Sequence, residues 1–162
     1  GIIPFISGNT FWPGSSLPSW PDGASTQLTE AMVNAAMRQI WEASSGSVDT
    51  ILCSGLQKRL INSFITSNRS YSPSNTRFRD LVSVYESDFG VCRVILSRWV
   101  PADMVVLLDS SRIEVLPLSG RSFHYKSLAS SGDKELGQVL GEYTLELRNE
   151  SAHGLITGLA AA

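Results

Sequence analysis

VYESDFGVCRVILSRWVPADMVVLLDSSRIEVLPL, residues 84–118, is a meander of short apolar runs separated by polar turns, and GEYTLELRNESAHGLI, residues 141–156, continues it. The spacing predicts a hairpin, with strands at Leu81–Tyr85 and Val91–Leu96 joined through Ser87-Asp88-Phe89-Gly90, where the glycine supplies a positive φ. Trp99 to Asp103 breaks the ladder. Met104 to Leu108 is apolar without interruption, the pattern of a strand covered on both faces. Asp109-Ser110-Ser111 turns the chain into a strand over Ile113–Leu118. Further on, Val139, Gly141, Tyr143, Leu145 and Leu147 alternate with Glu142, Thr144, Glu146 and Arg148, which predicts one long half-buried strand. A break at Ala152-His153-Gly154 precedes a last strand at Leu155–Leu159. Sequence of this regularity, with few residues of a chemically active type, points to a structural part rather than an enzyme.

Toward the amino terminus the period changes. Leu28, Met32, Val33, Ala36, Met37, Ile40 and Trp41 recur at three- and four-residue spacing, one apolar stripe on a helix of about four turns. Thr29 or Thr26 caps its start and Ser44-Ser45-Gly46 ends it. Asp49 to Cys53 reads as a buried strand. Ser54 and Gln57 have capping-box spacing and open a second helix through about Phe64. Residues 65–79 are polar and turn-rich, the composition of a long exposed loop. Residues 1–26 hold Pro4, Pro13, Pro18 and Pro21 among Gly, Ser and Trp, which excludes a helix or an inner strand and predicts an extended arm. There is no internal repeat.

A chain of 162 residues is one domain's worth, long enough for a single sizeable core. Thirteen basic and fifteen acidic residues give a net charge of −2, and the arginines are scattered, so no nucleic-acid footprint stands out. Apolar runs fall far short of the ~20 residues of a membrane span. Cys53 and Cys92 form no CxxC pair and read as buried thiols, with a disulfide the alternative. The sequons at Asn68 and Asn149 matter only in a secreted chain, and nothing in the sequence resembles a signal peptide.

Candidate chemistry is sparse. Ser54 stands where a strand runs into a helix, yet LCSGLQKR lacks the glycines of a nucleophile elbow and the GK[ST] of a phosphate loop, so a structural helix start is expected. Ser131-Gly132-Asp133-Lys134 matches S-x-x-K in form but lies in a loop. His124 and His153 have no partner at metal-ligand spacing and read as structural histidines. Glu142 and Glu146 are the solvated side of a strand, and Asp103 and Asp109 flank one as turn residues. No catalytic, metal or cofactor residue is expected.

LTEAMVNAAMRQIWEASSGSVDTILCSGLQKR, YESDFGVCRVILSRWVPADMVVLLD and GRSFHYKSLASSGDKELGQVLGEYTLELRNESAHGLI, within about residues 27–159, resemble the carboxy-terminal portion of tailed-phage major capsid proteins with the Hong Kong 97-type fold. The resemblance implies an α+β fold with a mixed or antiparallel sheet and two to three helices. It divides the chain into an arm or remnant of a truncated amino-terminal half at 1–26 and a capsid-like domain at 27–162. The axial part would span about 49–118 and the peripheral part about 27–45 and 119–159. The implied function is a structural subunit of an icosahedral phage or prophage capsid, assembling into pentamers and hexamers around the genome. Its partners would be copies of itself, packaged double-stranded DNA through non-specific contact, and scaffold or decoration proteins, with no membrane. The implied location is the virion, after synthesis in the host bacterial cytoplasm. Arg69, Tyr71, Arg77 and Arg79 on the 65–79 loop are the candidate inter-subunit residues. The alternatives are a shell protein of a cellular compartment with the same fold, a Ser-dependent hydrolase using Ser54 or Ser131 with Lys134, or a surface adhesion module with exposed Trp12 and Trp20.

Overall fold

The computed structural model describes residues 1–12, 27–68, 84–129 and 132–161. In chain order the regular elements are β1 (Thr10–Phe11), α1 (Glu30–Ala43), β2 (Thr50–Cys53), α2 (Gly55–Asn68), β3 (Val84–Ser87) and β4 (Gly90–Leu96). They continue with β5 (Val105–Leu108), β6 (Ile113–Pro117), β7 (His124–Ser127), β8 (Gly137–Leu140), β9 (Tyr143–Leu147) and β10 (Gly154–Ile156). Short 3-10 turns lie at Ile3–Phe5, Ser110–Arg112 and Glu150–Ala152. The fold is α+β.

Six strands form one mixed sheet in the order β1-β10-β5-β2-β4-β3. Its centre is β2, antiparallel to β5 and parallel to β4, so that Ile51 lies opposite Leu107 on one side and Val94 on the other. The β3–β4 hairpin has the expected turn, with Ser87 opposite Gly90 and Gly90 at φ +141°. All four residues of β5 are buried, as the unbroken apolar run requires.

Both helices cover one face of the sheet. Thr29 caps α1 by accepting the Met32 N–H at 3.3 Å. The stripe Met32, Val33, Ala36, Met37 and Ile40 is buried against Ile51, Cys53, Cys92, Val94, Val105, Leu107 and Ile156. Trp41, expected on that stripe, is instead 62% exposed and meets Phe89 at the rim, ring centroids 6.4 Å apart. It lies one position past Ile40, at the edge of the helix's contact with the sheet. The opposite face buries Val106, Leu108 and Leu155 under Ile6, with Ile2, Ile3, Met104, Ile113 and Leu147 at its margin.

At the start of α2 the expected capping box does not close. The Ser54 hydroxyl donates to the Ala102 carbonyl at 3.4 Å, and the fully buried Gln57 amide donates to Ala102 O at 2.8 Å and Ala160 O at 3.0 Å. Gln57 Oε1, which a box would aim at the Ser54 N–H, makes no hydrogen bond among the described residues. The side chains are turned to donate to tertiary carbonyls instead of accepting from the helix's first N–H groups. Cys53 and Cys92 are free and buried, and burial pushes each thiol up to about 11.

Between β5 and β10 the chain leaves the sheet. The single long strand expected through Tyr143 is two, β8 and β9, separated at Gly141–Glu142 and paired with different partners. β9 pairs with β6 and β8 with β7, each antiparallel, giving two consecutive segments of one ribbon. The joint is made by Leu118 and Arg121: Leu118 N–H donates to Glu142 O at 2.9 Å, and Glu142 N–H to Arg121 O at 3.0 Å. The described residues between 110 and 152 are therefore a ribbon arm on a sheet body.

Candidate inter-subunit surfaces

The arm sorts its side chains by face. Ile113 opposes Leu147, Val115 opposes Leu145 and Pro117 opposes Tyr143, so the alternation puts these six residues on one apolar side. At the root Ile113 and Leu147 are packed against the second core of the body. Further out the same stripe loses its cover: Val115 is 61% exposed and Tyr143 is exposed as well, with exposed Phe123 beside it. The Tyr143 and Phe123 rings meet at 5.0 Å.

Beyond the joint, glycines make room for rings. A Cβ on Gly137 would fall 2.1 Å from the Tyr125 hydroxyl, and one on Gly141 2.8 Å from Phe123 Cδ1. Tyr125 and Val139 face each other across β7 and β8, both mostly exposed. A two-stranded ribbon with this much uncovered apolar surface is marginal by itself, and such surface in a folded protein marks a contact site.

The reverse side of β6 and β9 is charged. Glu114 and Glu146 stand directly opposite one another, and Arg148 bridges them, Nη2 to Glu114 Oε2 at 2.7 Å and to Glu146 Oε2 at 3.0 Å. Hydrogen bonding from Arg148 holds the Glu146 carboxyl below its ordinary value. At the joint, Arg121, His124 and Lys126 line an open cavity of about 230 Å³ with Leu140 and Glu142, and Arg121 is ion-paired with Glu142. His124 is exposed on β7, its Nδ1 2.9 Å from Ser122 O.

The body carries a second uncovered area. Val84, Val91 and Ile95 on β3 and β4 are each about half exposed, and Trp99, in the turn after β4, is 87% exposed. Trp12 is exposed, and Trp20 lies outside the described residues.

The densest polar cluster sits where the arm meets the body. The Asp109 carboxylate accepts from the Ser111 N–H at 3.0 Å, the Ser111 hydroxyl at 2.6 Å, the Ser47 N–H at 3.2 Å and Arg112 Nε at 3.2 Å. Burial alone would raise its pKa, but these bonds prevail and hold it below the usual carboxylate range. The Asp109 N–H in turn donates to His153 Nδ1 at 3.2 Å. His153 is fully buried, and burial lowers its pKa. Asp49 accepts from the Ser110 N–H at 2.9 Å and from the Ser110 hydroxyl. Sequence reading placed Asp109 in a turn and His153 in a break; it did not foresee that they meet. The signal available was that each borders an apolar strand.

Arg69, Tyr71, Arg77 and Arg79 lie outside the described residues, as does Ser131. The Ser54 hydroxyl is bonded to the Ala102 carbonyl and not to a histidine, and no group of three or more potential metal ligands occurs among the described residues. No helix among them is long and apolar enough to cross a membrane.

Residues 1–160 match the family described as SU10 major capsid protein. The chain belongs to that family. Solved structures agree on the fold. The holo-SrpI encapsulin complex from Synechococcus elongatus PCC 7942 superposes with a TM-score of 0.61 at 11% identity, over 100% of this chain and 57% of that one. A chain of Mycobacterium phage Cain gives 0.50 at 16% identity, over 97% and 54%. The fold is the Hong Kong 97-type capsid and encapsulin fold. The chain spans a little over half the length of these structures. No curated protein sequence matches it.

Proposed function

We propose that this SU10-family chain is a structural, non-catalytic component of an icosahedral phage or prophage shell, assembling with copies of itself into pentamers and hexamers. The observation that carries the reading is the family match across residues 1–160. The uncovered apolar stripe of the arm supports it. Identical copies arranged symmetrically bury such a surface at every contact, and closed symmetry limits the size of the product. In this reading residues 49–118 build most of the axial part, and residues 27–45 and 119–159 the peripheral part. The loop bearing Arg69, Tyr71, Arg77 and Arg79 lies toward the capsomer axis. Contact with packaged double-stranded DNA is non-specific, consistent with a net charge of −2 and scattered arginines. Scaffold or decoration proteins are further partners in this reading, and synthesis takes place in the host bacterial cytoplasm.

Expression of the gene followed by negative-stain electron microscopy tests the proposal. Closed particles tens of nanometres across are expected. Dispersed, non-assembling protein at micromolar concentration from the whole gene would overturn it. The fold likeness to an encapsulin supports a second reading, a cellular compartment shell. Nucleic acid protected from nuclease inside purified particles favours the phage shell; enclosed protein without nucleic acid favours the compartment.

A further inference from the structure

The arm leaves the body after Leu108 and returns before Gly154, and these ends are neighbours because Leu107 pairs with Gly154 in the sheet. Asp109 and His153 are thus the two root residues, and they are joined across the root by one bond, from the Asp109 N–H to His153 Nδ1. An imidazole nitrogen accepts only when it carries no proton. We propose that His153 is a proton-operated latch at the root of the arm, closed while its ring is neutral and released when the ring is protonated.

The geometry gives the reason. Protonation puts an N–H on Nδ1, facing the Asp109 N–H at 3.2 Å, two donors with no acceptor between them. The ring has two ways out. It can turn toward the Asp109 carboxylate, which is occupied by Ser47, Ser111 and Arg112, or it can leave its buried place. Either movement breaks the bond from the Asp109 N–H to His153 Nδ1. His153 Nε2 makes no hydrogen bond of regular geometry among the described residues, although the Arg148 main chain lies near enough to favour the charged ring. No second strong bond anchors the imidazole.

The charged groups around the ring come from each side of the root. Asp109 and Arg112 belong to the outgoing turn, and Asp49 precedes β2. The two carboxylates favour protonation; burial and the Arg112 cation oppose it, and burial dominates. Glu150, three residues before His153, is held by the Ser7 and Gly8 N–H groups. Uncharged groups border the same turn: Ile40 of α1 beside Gly154, Gly46 beside Ala152, and Asn9, whose amide donates to the His153 and Ser151 carbonyls. On the return path Asn149 has a φ of +54°, and it begins the 3-10 turn that leads to His153. A residue of this conformation next to a short turn is where the backbone takes up a rotation of the arm.

The inference does not depend on shell assembly and is tested on the chain itself. Hydrogen exchange is followed by mass spectrometry at pH 7.5 and 5.0, with rates corrected for intrinsic pH dependence. Peptides from 110–152 should exchange severalfold faster at the lower pH relative to those from β2 and β5. His153→Gln, which accepts the Asp109 N–H but does not titrate, should abolish that difference. As a measurement independent of the variant's folding, NMR titration of the wild-type His153 ring should share its midpoint with the arm's exchange. Arm exchange that does not respond to pH, a response that survives His153→Gln, or midpoints that differ would each overturn the latch.

Discussion

Gly154→Ala should destabilise the body through one identifiable collision. A Cβ at Gly154 would stand 2.6 Å from Ile40 Cδ1, 3.3 Å from Ile40 Cγ1 and 3.4 Å from Phe11 Cε2. Gly154 does not occupy the left-handed region, so the cost is steric rather than conformational. Ile40 is fully buried and Phe11 nearly so, which leaves the isoleucine no solvent to swing into. Overpacking of this kind costs about 1–3 kcal/mol. Taking about 2 kcal/mol, a chain of this size should lose roughly 4–8 °C in Tm. Ile40→Val removes the Cδ1 atom and alone costs about 1 kcal/mol. If the two atoms are the cause, the costs do not add: the double variant should lose about 1.5 kcal/mol rather than about 3, a coupling well outside the ~0.5 kcal/mol scatter of independent sites. Urea melts of the four proteins, followed by circular dichroism, measure the cycle. Strict additivity would show that α1 does not lie over β10 as described.

Acid should weaken the fold through two groups at the arm root. The Asp109 pKa is lowered on folding, so its contribution is present above its unfolded value and lost as pH falls through the folded one. The His153 pKa is also lowered, so the folded state binds its proton less well than the unfolded chain, and stability declines as pH drops below the ordinary histidine range near 6.5. Chemical melts from pH 8 to 4 should show both, and His153→Gln should remove the upper part of the decline. Thr29→Ala removes the acceptor for the Met32 N–H and should cost about 1 kcal/mol by thermal melt, with the fold unchanged. Cys53 and Cys92, buried and raised to about 11, should resist an aromatic disulfide reagent at pH 8 in the native state and react together on denaturation. Rapid labelling of either would contradict the helix-covered face.

The body was legible where one local pattern decided the structure. The stripe from Met32 to Ile40 had only one way to be buried, and the apolar run through Leu108 had to be an inner strand. The hairpin turn at Gly90 followed from its backbone requirement. The arm was less legible because alternation records the faces of a strand and not its partner. Val139 and Tyr143 do fall in phase, but the chain changes register partner at Gly141–Glu142, and β7 at His124–Ser127 carries no clean period. Trp41 was misplaced because helical spacing does not say how wide the covering sheet is. The Asp109–His153 contact joins residues brought together only by the β5–β10 pairing, and nothing local announces it. The family resemblance rested on long strings rather than on a chemical signature, which is why it reached the fold without reaching a site.

The edge strand β1 pairs in parallel with β10, Thr10 beside Leu155 and Phe11 beside Ile156. This has a consequence for timing. On the ribosome the early strand has no template until some 140 residues later in the chain have emerged, at about 5–20 residues per second. Until then Phe11 and the ends of β5 are without their neighbours, and closing so long a loop is the last and entropically costliest step of building the sheet. A truncated product lacking β10 would therefore keep its helices and hairpin yet display an open, apolar sheet edge, so an unfinished chain is distinguishable from a finished one by its surface alone.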